Sequence, residues 1–202
     1  AIFRQRRDYR RAREVYQNVE EMLEVEDAGK LISARLRLAD GFLEIGESER
    51  AREHAMGVHD LSLELNEHQL HARSRVILGR YYAKTKDSEL SLLHYNAALE
   101  TFSEEANPTN AVETEMLLGQ VLVDVGRTSE ASEHYLDALS IAEANDFRLL
   151  QAEILARLGT IRGDRSERVA YLQRSLSVFK DLGAHTRMKE IQNSVHRALM
   201  GR

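Results

Sequence analysis

Apolar and small residues recur along this chain with a period of forty residues. A large residue followed by a small one marks the same point of four successive units, at Leu38-Ala39, Leu78-Gly79, Leu118-Gly119 and Leu158-Gly159. A second stripe follows at the four- and three-residue spacing of a helix face: Ala51, Ala55 and Val58; Ser91, Tyr95 and Ala98; Ala131, Tyr135 and Ala138. Each unit therefore predicts two helices, with the small residue of the first helix allowing a close approach of the second.

The positions between the two stripes predict a tight turn. Gly46, Lys86 and Gly126 stand there in register, where a left-handed residue would end the first helix. Lys86 is the non-glycine of the three, and we expect that conformation to cost it about 1 kcal/mol. The hydroxyl residues that follow, Ser48, Ser88 and Thr128, predict N-caps of the second helices. Such helix hairpins stack, because none can bury its apolar face alone.

This pattern resembles the tetratricopeptide repeat family. The residues that carry the resemblance are Leu118-Gly119, Leu122, Gly126, Ala131, Tyr135 and Ala138, with their counterparts in the other units. The commonest period of the family is about 34 residues, so the chain is similar to its long-helix branch, with repeats of about 40 residues, found in bacterial peptide-sensing regulators and eukaryotic polarity scaffolds. The resemblance implies an all-α, right-handed superhelical solenoid of stacked antiparallel helix hairpins.

The chain departs from the family pattern at one position of its repeats. A slot that is bulky and apolar in the family holds Arg35, Arg75 and Glu115, and only Leu155 fits it.

We predict one solenoid domain over residues 1–202, as a partial repeat 1–28, repeats at about 30–66, 71–106, 111–145 and 151–183, and a C-terminal capping helix 185–200. The fifth unit is shortened, since its second stripe arrives three residues early, at Leu172 and Ser175. The half repeat at the start suggests a fragment of a longer protein.

Composition narrows the class of protein. Of the 202 residues, 43% are hydrophobic and 30% charged, and the single proline favours long helices over a β fold. The absence of cysteine excludes disulfides, zinc-thiolate sites and thiol nucleophiles. No apolar run approaches the roughly 20 residues that span a bilayer. We therefore expect a cytoplasmic protein without a membrane partner.

A group of six arginines lies among the first thirteen residues. A net charge of −5 and the acidic run that follows, from Glu20 to Glu26, dilute this basic patch. Nucleic-acid binding is therefore disfavoured, because it needs a coherent basic face. The incomplete first repeat leaves an uncovered face, so self-association through it stays open.

Motifs for catalysis or cofactor binding are absent. The sequence has no glycine-rich phosphate loop, no dinucleotide fingerprint and no glycine-flanked serine elbow. His68 and His71 could share a helix face, but two ligands do not make a metal site, and Glu67 precedes them instead of lying between them. We predict no enzyme activity, no cofactor and no metal.

A second set of histidines, His54, His94 and His134, repeats every forty residues. One interpretation is a pH sensor, since imidazole titrates near neutrality. The interpretation that we favour is structural: a slot half-buried between hairpins suits an amphipathic ring, and duplication of the repeat explains the regularity.

The resemblance implies a concave groove lined by the first helices, and the residues opposite the Leu78-Gly79 stripe are its candidates. The predicted partner-binding groove consists of Leu36, Asp40, Glu44, Arg73, Val76, Arg80, Lys84, Glu113, Met116, Gln120 and Asp124. It is a cationic strip flanked by acidic strips, with Leu36, Val76 and Met116 as apolar contacts, and suits a partner with an acidic centre and basic flanks. The alternative is lateral pairing of these charges on adjacent helices, at about 0–1 kcal/mol a pair. Both roles remain open.

The sequence thus favours a non-catalytic scaffold that binds a peptide or a partner domain in its concave groove. The alternative is a ligand- or peptide-sensing regulatory segment of a larger signalling or transcription-regulating protein.

Overall fold

A computed structural model describes residues 13–15, 17–18, 28–161 and 163–200 of the chain. Every regular element from residue 28 to residue 200 in this part is a helix. In chain order they are α1 (Ala28–Ile45), α2 (Ser48–Glu64), α3 (His68–Thr85), α4 (Ser88–Glu104), α5 (Pro108–Asp124), α6 (Thr128–Ala144), α7 (Arg148–Leu158), α8 (Arg165–Asp181) and α9 (His185–Met200).

The chain divides into two compact units, residues 1–105 (unit 1) and residues 106–202 (unit 2). In unit 1, α1 packs on α2, α2 on α3 and α3 on α4, and the two first helices α1 and α3 also touch. In unit 2, α5 packs on α6, α6 on α7, α7 on α8 and α8 on α9. The prediction of stacked helix hairpins is confirmed within each unit. The partial repeat 1–28, its arginines and the self-association proposed for it lie almost entirely outside the described residues.

The small residue of each first helix lets the second helix approach closely, as the sequence predicts. A Cβ atom added to Gly79 would lie 2.5 Å from the Tyr95 ring, and one added to Gly119 would lie 2.5 Å from the Tyr135 ring. In the shortened fifth hairpin, a Cβ on Gly159 would lie 2.4 Å from Cγ of Leu172. The early second stripe of that unit therefore still meets its glycine.

The turns inside the hairpins also follow the prediction. Gly46, Lys86 and Gly126 have positive φ angles of 87°, 68° and 82°. At each turn the next residue closes the helix end, as when Glu47 N donates to the Phe42 carbonyl at 2.9 Å. The turns between hairpins also contain a residue with a positive φ angle, but it is not glycine: Asn66, Ala106 and Asp146. The sequence did not single out these three left-handed positions.

The predicted N-caps are wrong by one residue. Ser48, Ser88 and Thr128 are the first residues of their helices, and the caps are Glu47, Asp87 and Arg127. The closing bond of the preceding helix uses the residue directly after the left-handed one, so the new helix begins one residue earlier than hydroxyl preference suggests. Asp87 is the one of these three caps whose side chain accepts a bond, from Leu90 N at 3.1 Å.

The helices of the described residues include none that is both long enough and apolar enough to traverse a lipid bilayer.

Candidate interaction face

The first helices of unit 1 share a polar face. Arg80 on α3 donates from Nη1 to Oδ1 of Asp40 on α1 at 2.7 Å. One turn further along α3, Lys84 Nζ donates to the carbonyl oxygen of Leu43. The Arg80 and Asp40 side chains remain 34% and 46% exposed, so this lateral pair lies on the surface. The structure thus confirms lateral pairing for these two residues, which leaves ligand binding open.

Charges on this face shift each other's titration. Partial burial raises the pKa of Asp40, although Arg80 and Arg73 oppose the shift. Burial and the neighbouring Arg80 lower the pKa of Lys84. Arg73 is exposed, and no ion pair joins it to another described residue. These residues, together with the exposed Glu44, form what we call the unit 1 face: Asp40, Glu44, Arg73, Arg80 and Lys84.

Two of the predicted apolar contacts are wrong. Leu36 is 1% exposed and belongs to the core of unit 1, because α1 packs on both α2 and α3 and buries a wide stripe. Met116 is 7% exposed, since α5 buries most of its central turns. Val76 is half-buried and keeps partial access to solvent. Any partner of the unit 1 face must therefore bind chiefly through polar contacts.

The predicted residues of unit 2 form a separate set on α5. Gln120 donates from Nε2 to Oδ1 of Asp124 at 3.0 Å, and its Oε1 accepts from Arg157 on α7 at 2.7 Å. Glu113 and Asp124 are exposed. Arg157 was not among the predicted residues, although it occupies the same position of its repeat as Leu117, forty residues earlier. A single groove over both units remains a prediction.

A cavity of about 440 Å³ opens beside α1 and is lined by Gly29, Lys30, Ser33, Ala34 and Arg37. Lys30, Ser33 and Arg37 are all exposed and lie three and four residues apart, on one side of the helix. The predicted groove omitted Lys30 and Arg37, whose helical spacing with Ser33 was the available signal.

The histidines that repeat every forty residues are half-buried in all three hairpins, but their neighbours differ. His54 stacks on Phe42 at a centroid distance of 5.5 Å, and His94 stacks on Tyr82 at 5.3 Å. His134 instead bonds through Nδ1 to Oε2 of Glu115 at 2.6 Å.

The ring that meets His71 belongs to His59 on α2, not to His68. Their centroids are 4.3 Å apart, and the buried Nδ1 of His59 and Nε2 of His71 have no hydrogen-bond partner. Burial, with His59, Arg75 and His68 nearby, lowers the pKa of His71 to about 4. Among the described residues, no group of three or more His, Cys, Asp or Glu side chains is placed to hold a metal ion.

Comparison with known proteins gives one sequence match. The model of the tetratricopeptide repeat matches residues 116–145, which cover the second half of α5 and all of α6. No curated protein sequence matches the chain significantly.

Solved structures with a similar fold are numerous. A signal-transduction ATPase with numerous domains from Pyrococcus horikoshii, with a tetratricopeptide repeat sensor, matches with a TM-score of 0.80 at 14% identity, over 93% of this chain and 30% of its own. Aspartyl phosphate phosphatase F from Bacillus subtilis matches with a TM-score of 0.81 at 12% identity, over 96% of this chain and 53% of its own. The Rap conjugation gene regulator of plasmid pLS20, in complex with the Phr* peptide, matches with a TM-score of 0.59 at 13% identity, over 88% and 56%.

This chain thus spans less than two thirds of each of these three proteins, and at such identities the likeness concerns the fold. The matched repeat has the same close glycine–tyrosine approach as the hairpin before it, and glycine meets leucine at the same place in the hairpin after it. Residues 116–145 thus match a tetratricopeptide repeat, and the described part of the chain has a helical-repeat fold similar to proteins that contain such repeats.

Proposed function

We propose that this chain is a non-catalytic cytoplasmic scaffold that binds a peptide or a partner domain on the unit 1 face. The observation that carries the proposal is the arrangement of exposed charges from two hairpins on adjacent first helices, with Arg80 held against Asp40 at 2.7 Å. A pair so exposed contributes little to stability, about 0–1 kcal/mol. Its fixed geometry is useful for recognition, because charged groups across an interface set specificity and association rate.

The peptide-bound regulator supports this proposal by analogy, since a related fold there holds a peptide. In the present chain, Arg73 and Lys84 extend the positive charge to either side of Arg80 along α3. Asp40 and Glu44 supply negative charge on α1. A partner with segments of both signs fits this face better than a uniformly charged one.

An exchange of the paired charges separates ligand binding from lateral pairing. The double variant Asp40→Arg with Arg80→Asp keeps an opposite-charge pair between α1 and α3 but reverses the charge at each position. We expect its free energy of unfolding to stay within about 1 kcal/mol of wild type. In pull-downs from the source organism followed by mass spectrometry, it should lose the proteins that the wild-type chain enriches.

Unit 2 offers a matched control. Arg174 and Glu143 form a comparable exposed pair at 3.0 Å between the second helices α8 and α6. The exchange Glu143→Arg with Arg174→Glu should keep partner capture. Equal capture by the wild type and the Asp40/Arg80 exchange would show that the unit 1 face does not bind.

A sensing role within a larger signalling protein is the second candidate. It is favoured by the likeness to a protein whose repeat region is a sensor, which covers 93% of this chain. The sensor role expects a peptide or metabolite to raise the melting temperature of the chain, and an output domain in the parent protein. A parent protein without any further domain would contradict it.

The non-catalytic part of the proposal also has a direct test, since one protein of similar fold is an aspartyl phosphate phosphatase. Acetyl phosphate is a simple acyl phosphate substrate for such an assay. We expect no hydrolysis above the buffer rate. Hydrolysis that survives purification and is lost in His71→Ala would overturn this part.

A further inference from the structure

The second helices of unit 1 expose large apolar side chains. Met56 and Leu63 on α2 are 45% and 53% exposed, and Leu93 on α4 is 59% exposed. Met56 and Leu63 lie seven residues apart and therefore on one side of α2. Leu93 and the partly exposed Ala97 share one side of α4 in the same way. Single exposed leucines are ordinary on a protein surface, whereas a group of them that forms one surface indicates a binding site.

An ion pair in unit 2 shows which positions of successive second helices meet. Arg174 on α8 lies 3.0 Å from Glu143 on α6. In the forty-residue register, Glu143 corresponds to Leu63 on α2. Arg174 corresponds to Ala97 on α4, because the shortened fifth unit brings α8 three residues early. The register thus places Leu63 beside Ala97, where unit 2 has its ion pair, and joins the apolar side chains of α2 and α4. We call this surface the second-helix patch: Met56, Leu63, Leu93 and Ala97.

Acidic side chains dominate the two helices that carry the second-helix patch. Helix α4 contains no lysine or arginine. Of the two arginines of α2, Arg52 pairs with Glu49 at 3.2 Å, and Arg50 lies over the Phe42 ring at 4.3 Å. The other carboxylates of both helices are exposed, and none forms an ion pair with another described residue: Glu53, Asp60, Glu64, Glu89, Glu100 and Glu104.

These carboxylates border the apolar side chains. Glu53 and Asp60 lie three and four residues from Met56, and Glu89 lies four residues before Leu93, so each is a neighbour on the helix surface. A ligand that covers the patch therefore also meets negative charge along both of its sides. Such a ligand needs an apolar side and flanking positive charges.

We propose that the second-helix patch binds a basic amphipathic helix of a partner protein. The apolar stripe of that helix covers the patch, and its lysine or arginine side chains meet the surrounding carboxylates. This surface goes beyond the proposed function, because it lies on α2 and α4 and the unit 1 face lies on α1 and α3.

A basic helix fits the patch better than other occupants. An extended peptide needs the edge of a sheet to pair with, and the backbone groups of a helix are already hydrogen-bonded within it. The anionic headgroups of a membrane would be repelled by the carboxylates. A second copy of this chain would bring the same carboxylates to the contact.

Fluorescence anisotropy with a labelled peptide tests the proposal. The peptide has about 18 residues, which form about five helix turns, with leucines on one side and lysines on the other. A peptide of the same composition in scrambled order has no apolar side. We expect the amphipathic peptide to bind at least about tenfold more tightly than the scrambled one, and to gain helix on binding in circular dichroism. Equal binding of the scrambled peptide, or binding without a gain of helix, would overturn the proposal.

The variant Leu63→Ser with Leu93→Ser removes the two most exposed side chains of the patch. It should weaken binding of the amphipathic peptide about tenfold or more, because both leucines lose their apolar contact. Its melting temperature should stay close to that of wild type, since both side chains are exposed in the folded chain. Asp60→Asn with Glu89→Gln should weaken binding as well and reduce its dependence on salt between about 0.05 M and about 0.3 M. Unchanged affinity in either double variant would contradict the proposal.

Unit 2 again offers a matched control. Leu136 and Leu149 are 43% and 55% exposed, and Leu136→Ser with Leu149→Ser should leave the affinity within about twofold. An equal loss in this control and in the Leu63/Leu93 variant would show that the peptide binds exposed leucines without preference. The Asp40/Arg80 exchange should also bind the peptide as wild type does. A loss there as large as in the Leu63/Leu93 variant would place the peptide on the unit 1 face and overturn the assignment to α2 and α4.

Discussion

The hairpin α3–α4 of unit 1 and the hairpin α5–α6 of unit 2 follow one plan, forty residues apart. They share the residues that set their packing: Gly79 and Gly119, Tyr95 and Tyr135, His94 and His134, Ala98 and Ala138. Among the positions at which they differ, Arg75, Tyr82 and Lys86 correspond to Glu115, Leu122 and Gly126. Comparison of the two hairpins therefore shows what the shared residues control and what the differing residues control.

The difference changes electrostatics and leaves packing intact. In both hairpins the tyrosine ring lies against the glycine, 1% exposed. His94 stacks on Tyr82, and burial, with Arg75 nearby, lowers its pKa. The bond from Glu115 raises the pKa of His134, against the effect of burial. The same position of the repeat thus has a pKa lowered chiefly by burial in one hairpin and raised by a hydrogen bond to a carboxylate in the other.

Removing a shared tyrosine should have the largest effect on stability, since it removes the glycine–tyrosine contact that both hairpins have. Tyr95→Ala and Tyr135→Ala each leave a cavity beside a glycine, and we expect each to lower the free energy of unfolding by about 3–5 kcal/mol in urea denaturation. The control Leu136→Ala, at a residue 43% exposed, should cost less than about 1 kcal/mol. A loss below about 1 kcal/mol for either tyrosine would mean that its ring does not support the hairpin.

Glu115→Gln should have the next largest effect, and it should depend on pH. Glu115 is 6% exposed, and its bond to a charged histidine is expected to contribute about 1.5–3 kcal/mol. Because the pKa of His134 is raised in the folded state, this stability is fully present below the unfolded pKa of about 6.5 and is lost as pH rises through the folded pKa.

The measurement for Glu115→Gln is urea denaturation at about pH 5.5 and about pH 9. The difference from wild type should be larger at the lower pH. The exposed neighbour Glu133 provides the control Glu133→Gln, which should change stability little at either pH. An equal loss at both pH values would contradict a charged His134.

The forty-residue period was sufficient to predict the helix hairpins and their glycine contacts, because those contacts join residues of one repeat. The period showed that one slot holds Arg35, Arg75 and Glu115, but it could not show that Glu115 contacts His134, because the two lie on different helices, nineteen residues apart. The apolar pattern of one helix could not show that Leu36 is buried either. It indicates the face that packs on one neighbouring helix, whereas α1 packs on two, α2 and α3. Of the predicted groove, the structure brings Asp40 and Arg80 together.

Lowering the pH should destabilise unit 1, whereas it strengthens the bond between Glu115 and His134. Burial lowers the pKa values of His59, His71 and His94 in the folded state. Their neutral forms therefore stabilise the fold above pH about 6.5, and this stability is lost as pH falls from there towards the folded pKa, about 4 for His71. The effect should be smaller than that of Glu115, because these rings are partly solvated.

Hydrogen exchange of the intact chain, corrected for the intrinsic pH dependence, can follow this loss in each helix. Between pH about 7 and about 4.5, protection should fall in α2, α3 and α4. The groups facing the cluster are Asp60 on α2 and His68 and Arg75 on α3, and of these only Asp60 favours the charged imidazole. His71→Leu should reduce the acid sensitivity of these helices. An unchanged pH profile in this variant would exclude His71 as a cause.

The smallest effect should come from exchanging the turn residues of the two hairpins. Lys86 and Gly126 both have left-handed φ angles, 68° and 82°. No atom outside the immediate chain lies within 4 Å of a Cβ built on Gly126, so a side chain there meets only the conformational cost. Lys86→Gly should raise the free energy of unfolding by about 0.5 kcal/mol, and Gly126→Lys should lower it by about 1 kcal/mol. Lys86→Gln keeps the Cβ atom and removes the charge, so it should match wild type in urea denaturation if conformation is the cause. A gain from Lys86→Gln equal to that from Lys86→Gly would instead assign the cost to charge, because both variants lose the ammonium group and only one relaxes the backbone.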